Sequence, residues 1–364
     1  MSKQPIQTLL QLEFDGVNIS ADLLPDLLSF EYEDKETGEA DEIAVSLKDE
    51  DGRWAGTWKP DGGETVRAWI ISGRTDGIGE EIYCGKFYVD SLSAAGSPRT
   101  MEIRAVSIPM NTPIRKKLKS RSWEKQSVSD IARAIASDNG VSFQLHGQDV
   151  KIDKQKQDRE SDMQFLLRVC EEVGYSLKVT DDALVIFDPG EYEKASPVRT
   201  YTLGVSDILS WSFESAQSET YKSCKVTYRD PKKKQKKKAG KYDFIGASGG
   251  ASGGASGENP AVSTYTYVDP DVSDQGQEYT LKARAPSIED AKRLARAKLR
   301  ELNKRSVTGS MSLVGDVGLV AGVVVAVKGF GSFDGNFIVE SASHTVDGGG
   351  YKTSVNLRRV NNRY

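Results

Sequence analysis

From the N-terminus to about residue 110, apolar and polar positions alternate. In "EIAVSLK", residues 42–48, Ile43, Val45 and Leu47 share one face; in "TMEIRAVS", residues 100–107, Met101, Ile103 and Ala105 do the same. A period of two marks strands buried on one side. Between them lie "VRAWIIS" (66–72) and "YCGKFYVDSL" (83–92), separated by glycine-containing turns, as an antiparallel barrel or sandwich requires. Residues 1–112 are expected to form a first β-barrel domain.

The period then changes. In "SVSDIARAIASDNG", residues 127–140, Ser127 caps a helix with Asp130 three residues on, Val128, Ile131 and Ile135 form one stripe, and Asn139-Gly140 ends it. "SDMQFLLRVCEEVGYSLKV" repeats that grammar. Ser161 and Gln164 form a capping box, Met163, Leu166, Leu167, Cys170 and Val173 form the stripe, and Gly174 stops the helix before a strand. That strand and "ALVIFD" flank a turn at Asp181-Asp182. Residues 113–200 are expected to form a small α+β domain.

Residues 201–230 read as strands leading into a second β region. Two shifts in composition follow: "KKKQKKK" (232–238) has six lysines in seven positions, and "GASGGASGGASG" (246–257) is a glycine-serine tether with nothing to bury. A flexible insertion is expected over 231–260, dispensable for folding because it cannot offset its ordering entropy. Structure resumes at "STYTYV" and continues in the helix "SIEDAKRLARAKLRELN", capped by Ser287 and Asp290, with Ile288, Ala291, Ala295, Leu299 and Leu302 on one side. Residues 261–364 are expected to form a second barrel containing that helix.

The two β regions share a phrase. "VSLKDEDG", "VRAWIIS", "GKFYVDS" and a glycine turn run in the same order as "MSLVGDVG", "VVVAVKGF", "GNFIVES" and a glycine turn. The first copy holds about 16 more residues between landmarks, a difference a loop absorbs at small entropic cost. The ordered run implies a duplicated barrel, with Phe87 and Phe337 at matching positions and Val89 and Val339 two residues on. The fold class is thus α+β, mainly β: two related antiparallel barrels with a small α+β domain between them. Three copies of such a chain present six similar units in a ring, since closed symmetry repeats whatever the subunit contains.

Composition narrows the function. With 49 basic and 53 acidic residues the formal charge is −4, which provides no overall field for nucleic acid or anionic lipid. The start "MSKQPIQTLL" has no apolar run of signal-peptide length and no segment approaches the roughly 20 apolar residues of a membrane span, so a cytoplasmic protein is expected unless specialised machinery exports it. Cys84, Cys170 and Cys224 are odd in number and widely spaced, and read as buried small side chains.

Candidate chemistry is sparse. His146, in "FQLHGQD", and His344, in "ESASHTV", read as exposed or hydrogen-bonded imidazoles and not as bases, and two separated histidines make a poor metal site. The pairs Glu171-Glu172 and Asp181-Asp182 read as solvated faces; glycosidic cleavage needs carboxyls opposed across about 5 to 9 Å. The lysine run could grip phosphates but has no interleaved aromatic, and reads as an extended solvated loop. Lys292, Arg293, Arg296 and Arg300 read as the wet side of a helix, with contact to an acidic neighbour as the second reading. No catalytic, cofactor-binding or metal site is expected.

Taken together, "ADEIAVSLKDEDG" (40–52), "CGKFYVDSLSAAGSP" (84–98), "SDMQFLLRVCEEVGYSL" (161–177) and "GGYKTSVNLRR" (349–359) make the chain resemble the late control gene D family of contractile phage tails. These are baseplate hub proteins, related to the N-terminal hub part of type VI secretion spike proteins. A lysine-rich insertion occurs in relatives; the Gly-Ala-Ser repeat departs from them. The resemblance implies a homotrimer at the lower end of the tail tube, with the tube protein above, a trimeric spike and other baseplate proteins around it, and tape measure protein in the lumen. It implies a virion tail baseplate, or a phage-tail-like particle, assembled in the host cytoplasm. A cell-wall binding or degrading tail component is the alternative, favoured by the size of the middle domain, and nucleic-acid binding through the lysine run is a third reading.

Overall fold

The computed structural model describes residues 6–38, 40–74, 79–108, 112–180, 183–216, 220–234, 260–270, 272, 276–285 and 287–361. The Asp181-Asp182 turn, most of the lysine run and the Gly-Ala-Ser repeat lie outside the described residues. The chain divides into two compact units, residues 1–219 with 304–364, and residues 220–303.

In the larger unit thirteen strands of the described residues run in one sheet, and its path repeats itself. In the first β block the neighbours are, in order, Leu27–Lys35, Glu42–Lys48, Thr100–Val106, Glu80–Ala95 and Thr65–Arg74. In the second they are Ile208–Ser215, Val307–Val314, Gly350–Arg359, Gly335–Asp347 and Val324–Lys328. The registers agree as well. Phe87 lies opposite Val66 and Phe337 opposite Val325. Both long strands slip register one residue after the shared valine, between Val89 and Ser91 and between Val339 and Ser341. Val89 exchanges backbone bonds with Gly63 and Glu64, as Val339 does with Gly322 and Val323. The outer strands slip between Leu27 and Ser29 and between Ile208 and Ser210.

That last match exposes a repeat absent from the landmarks above: "LLSFEYE" at 27–33 and "ILSWSFE" at 208–214 occupy equivalent strands, with Leu28 and Leu209 as the skipped residues. Gly335 opens its strand and Gly85 lies at a bulge inside its own, at φ of 142° and 120°, a region that side chains disfavour, which accounts for the repeated glycine in "GKF" and "GNF". The blocks diverge at the margin. Thr65–Arg74 is flanked by the antiparallel strand Ile6–Phe14, whereas Val324–Lys328 is flanked by the parallel strand Arg199–Thr202.

Each block has its own apolar core. Phe30, Leu47, Ile70 and Phe87 centre the first; Leu319, Val327, Phe337 and Val339 centre the second. The inward alternation read from 42–48 and 100–107 holds, since Ile43, Val45, Leu47, Met101, Ile103 and Ala105 are all buried. The blocks join where Leu27–Lys35 pairs antiparallel with Ser341–Asp347.

Residues 113–200 bring two helices, Val128–Asp138 and Asp162–Val173, against a sheet of Ser142–His146, Ala183–Phe187 and Ser176–Val179, with a ribbon of Lys119–Ser127 and Lys151–Glu160 beside them. Both capping boxes form, Ser127 with Asp130 and Ser161 with Gln164. Phe165 and Val169 are fully buried in addition to the expected stripe, and Leu167 is only partly buried. That helix therefore presents a wider apolar face than a single stripe.

Residues 220–303 differ from expectation. Tyr221–Lys234 pairs with Pro260–Val268 and Gln277–Ala285, and the helix Ile288–Asn303 packs on these three strands. Strands and helix expected in the second barrel thus make a unit of their own, and the second block draws instead on 199–215 and 307–359. The cause is pairing: Tyr221–Lys234 takes its partners from within the unit, a choice that linear order does not reveal. The insertion is also shorter than 231–260, because Lys234 pairs with Pro260 and residues 231–234 are strand. Ala291, Ala295 and Leu299 form the buried stripe, and buried Asn303 bridges the helix end to both backbone groups of Tyr221, at 2.8 and 2.9 Å.

Phe87→Ala and Phe337→Ala should each destabilise the protein by about 3 to 5 kcal/mol, because both rings are fully buried. Urea unfolding of the two variants checks this. Near-equal losses are expected from their equivalent positions.

Candidate functional site

The groups that could do chemistry are dispersed. His146 is exposed at the end of its strand, and His344 is wholly buried. The His344 Nε2 lies 2.8 Å from the Leu319 carbonyl, which can only accept, so Nε2 carries the proton and Nδ1 accepts from the Tyr351 hydroxyl at 2.8 Å. Its ring stacks on Tyr32 across the junction between blocks, 5.8 Å between centroids. Burial holds the imidazole below its ordinary pKa. Glu171 and Glu172 are exposed neighbours on one helix, and Glu172 accepts from Arg168 at 3.0 Å. All three cysteines are buried, and burial pushes the Cys170 thiol up to about 12 and that of Cys224 to about 11. Lys292 and Arg296 are exposed, Arg293 and Arg300 half-buried, and Arg293 donates to Asp290 at 3.0 Å. Among the described residues no group of His, Cys, Asp and Glu could hold a metal ion.

Buried charge gathers instead at the junction. Arg358, with 4% of its side chain exposed, donates to Glu193 of the middle domain and to Glu36 of the first block at 3.2 Å, and its Nε lies 3.4 Å from Glu340. One guanidinium therefore ties three parts of the chain. Burial raises the Glu36 carboxyl while Arg358 pulls it back down; burial also disfavours the Arg358 cation, and the Glu36 and Glu193 carboxylates outweigh that. A second cluster repeats the arrangement. Lys178 lies 2.5 Å from Asp34 and 3.4 Å from Asp41, and Asp34 accepts from the Ala321 amide at 2.8 Å. Burial, with Asp34 nearby, raises Asp41 to about 6 against the pull of Lys178. Sequence reasoning missed both clusters, since a lone Arg in "NLRR" or Asp in "YED" looks solvated.

The opposite face of the joined sheet is small and polar. One lane of paired positions runs Ser212, Ser310, Asn356, Ser341 and Lys35; the next runs Ser210, Ser312, Ser354, Ser343 and Glu33. Asn356 donates to Ser341 at 2.9 Å and Ser343 to Glu31 at 2.9 Å. A groove of about 630 Å³ follows the first of these lanes, lined also by Glu36, Glu214, Lys304 and Arg305. Charges of both signs border it, so the surface is wet and adhesive to no single ligand class.

The ends of the sheet are open. Among the described residues Ile208–Ser215 pairs on one side only, with Leu209 55% and Trp211 46% exposed. An unpaired edge carrying apolar side chains is an interaction surface unless something covers it. Among the described residues the candidate chemical groups stand apart, and the geometry offers edges and faces for contact.

Comparison with known proteins agrees in kind. Residues 89–350 match the family model described as phage tail baseplate hub (GPD). Two curated relatives are each described as a probable baseplate hub protein. The one from Escherichia phage P2 is 29% identical over 190 residues, 51% of this chain and 46% of that protein. The one from Escherichia phage 186 is 24% identical over 233 residues, 62% and 58% respectively. The chain spans about half the length of these relatives. Among solved structures, the 43 kDa tail protein of prophage MuSo2 from Shewanella oneidensis has a TM-score of 0.65 at 12% identity, covering 97% of this chain and 98% of that one. The tail protein from Neisseria meningitidis MC58 has 0.65 at 14%, covering 97% and 96%. An E. coli component of the type VI secretion system has 0.54 at 12%, covering 100% and 78%. At these identities the likeness is one of fold.

Arg358→Ala should cost about 3 to 5 kcal/mol, because it strands buried Glu36 and Glu193 without their cation. Chemical denaturation reads the loss. For His344, the depressed folded pKa means that the unfolded chain takes up the proton first as pH falls below about 6.5, so this residue's contribution is complete above that pH and lost on acidification. Raised Asp41 acts oppositely, favouring the folded state as pH drops below about 6. The difference between wild type and His344→Gln, measured by melting from pH 7.5 to 5, isolates the imidazole: wild type should lose stability more steeply on acidification.

Proposed function

The chain belongs to the phage tail baseplate hub (GPD) family, and on that premise we propose that it is the structural hub that joins the sixfold tail tube to the trimeric spike, as a pseudo-sixfold homotrimer. The observation that carries this reading is the repeated strand path: two equivalent blocks per chain make six in three chains, the number a sixfold tube must meet. The hub works by binding geometry. The tube protein sits above, the spike and other baseplate proteins below and around, and the serine-lined face of the joined sheet supplies a wall that passing chains, such as the tape measure protein, wet without sticking. Its place is the baseplate of the virion tail or of a tail-like particle, assembled in the host cytoplasm.

The reading needs no active site. Cell-wall cleavage has little to work with, since Glu171 and Glu172 stand side by side and do not face each other across a cleft.

Light scattering on the purified protein, alone and with its cognate spike, tests the assembly. A trimer is expected, burying well over the roughly 1,000 Å² of a specific contact. A chain that stays monomeric with spike and tube protein both present at high concentration overturns the hub reading.

A further inference from the structure

The chain contains a template for its own assembly. Within one copy, the outer strand of the first block, Leu27–Lys35, pairs with the far half of the long strand of the second block, with Lys35 opposite Ser341 and Ser29 opposite Asp347. The repeat gives each partner an equivalent. Residues 27–33 correspond to 208–214, and 335–345 correspond to 85–95, with matched registers and matched slips on both sides. The equivalent junction would therefore join 208–216 to 91–95, but the two segments do not pair within the chain. Ile208–Ser215 is the open end of the sheet. On the other strand, Ser91 to Ala95 pair with Thr100–Val106 on one side, while Ser91, Ser93, Ala94 and Ala95 are exposed.

We propose that these two free edges pair with each other between copies, Ile208–Ser215 of one chain docking antiparallel on Ser91–Ala95 of a second. The template fixes the register. Glu33 opposite Ser343 places Glu214 opposite Ser93; Glu31 opposite Thr345 places Ser212 opposite Ala95; Tyr32 opposite His344 places Phe213 opposite Ala94. A large ring thus meets a small side chain. The contact is head-to-tail, second block to first block, and such contacts close into a ring when the rotation permits.

A loop supports the same docking. In the template, the segment after Val307–Val314 enters the first block's core through Val317, and its Ala321 amide binds Asp34. The equivalent segment of the first block, residues 49–64, carries Trp58, which is 44% exposed. On a second copy it would reach the side of the second block where Trp211 is exposed. Two partly exposed tryptophans in one chain are thereby given a common cover.

This inference rests on the trimer reading, and the test separates the two. Ser93→Cys and Glu214→Cys are combined in the full-length chain, oxidised with and without spike, and run on a non-reducing gel. Directly opposed strand positions on one face suit a disulfide, and the native cysteines are buried. Covalent dimers and closed trimers are expected, several-fold more than from the offset pair Ser93→Cys with Ser212→Cys and absent from each single variant. A trimer by light scattering that does not cross-link at this pair, or links equally at the offset pair, overturns the proposed edge and leaves the trimer standing. Monomers under every condition overturn both.

Discussion

The larger unit depends on one strand pairing, Leu27–Lys35 against Ser341–Asp347. Without it each block would end in an open edge beside its own core, and unpaired edges invite non-native association. The pairing is non-local, so its loop-closure entropy must be met by what it brings together. What it brings together is apolar stacking, Tyr32 on His344, and two enclosed charge clusters around Arg358 and Lys178. Val317 and Tyr351 cross from the second block into the first block's core, so the junction is packed as well as hydrogen-bonded.

Buried ion pairs are poor sources of net stability, because desolvation consumes most of their attraction. Their value here lies in selectivity. The Arg358 guanidinium meets its three carboxylates only when the helix Pro189–Glu193, Glu36 and Glu340 of the neighbouring strand all arrive together. A one-residue slip along Ser341–Asp347 would turn every side chain to the other face and put a carboxylate or guanidinium in an apolar core. The charges penalise wrong registers by far more than they reward the right one.

Local features were legible in the sequence and non-local ones were not. The capping boxes at Ser127 and Ser161, the inward alternation at 42–48 and the twin glycine-phenylalanine-valine phrases are written within a few residues, and the structure carries all of them. The equivalence of "LLSFEYE" and "ILSWSFE" was hidden because their offset differs from that of the other landmarks, the unit at 220–303 falling between Ile208–Ser215 and the rest of the second block, where the first block has no such interruption. The independence of 220–303 was hidden because a strand does not announce its partner. Arg358 sits at an outward position of its strand and is buried only because another element covers it.

The places where the two blocks differ follow from the same logic. Inner strands agree in order and in the slips at the shared valines, whereas the margins diverge: an extra slip between Ala68 and Trp69 in the first block, antiparallel Ile6–Phe14 in one block, parallel Arg199–Thr202 in the other, and a long tryptophan-bearing loop against a short one. The middle domain and the unit at 220–303 occur once per chain. In the proposed ring, a face built from the inner strands would repeat six times and a face built from the margins and single-copy parts three times. A hub of the proposed kind, meeting a sixfold partner on one side and a threefold partner on the other, can hold its inner strands constant while its periphery diverges, and the two blocks differ in that way.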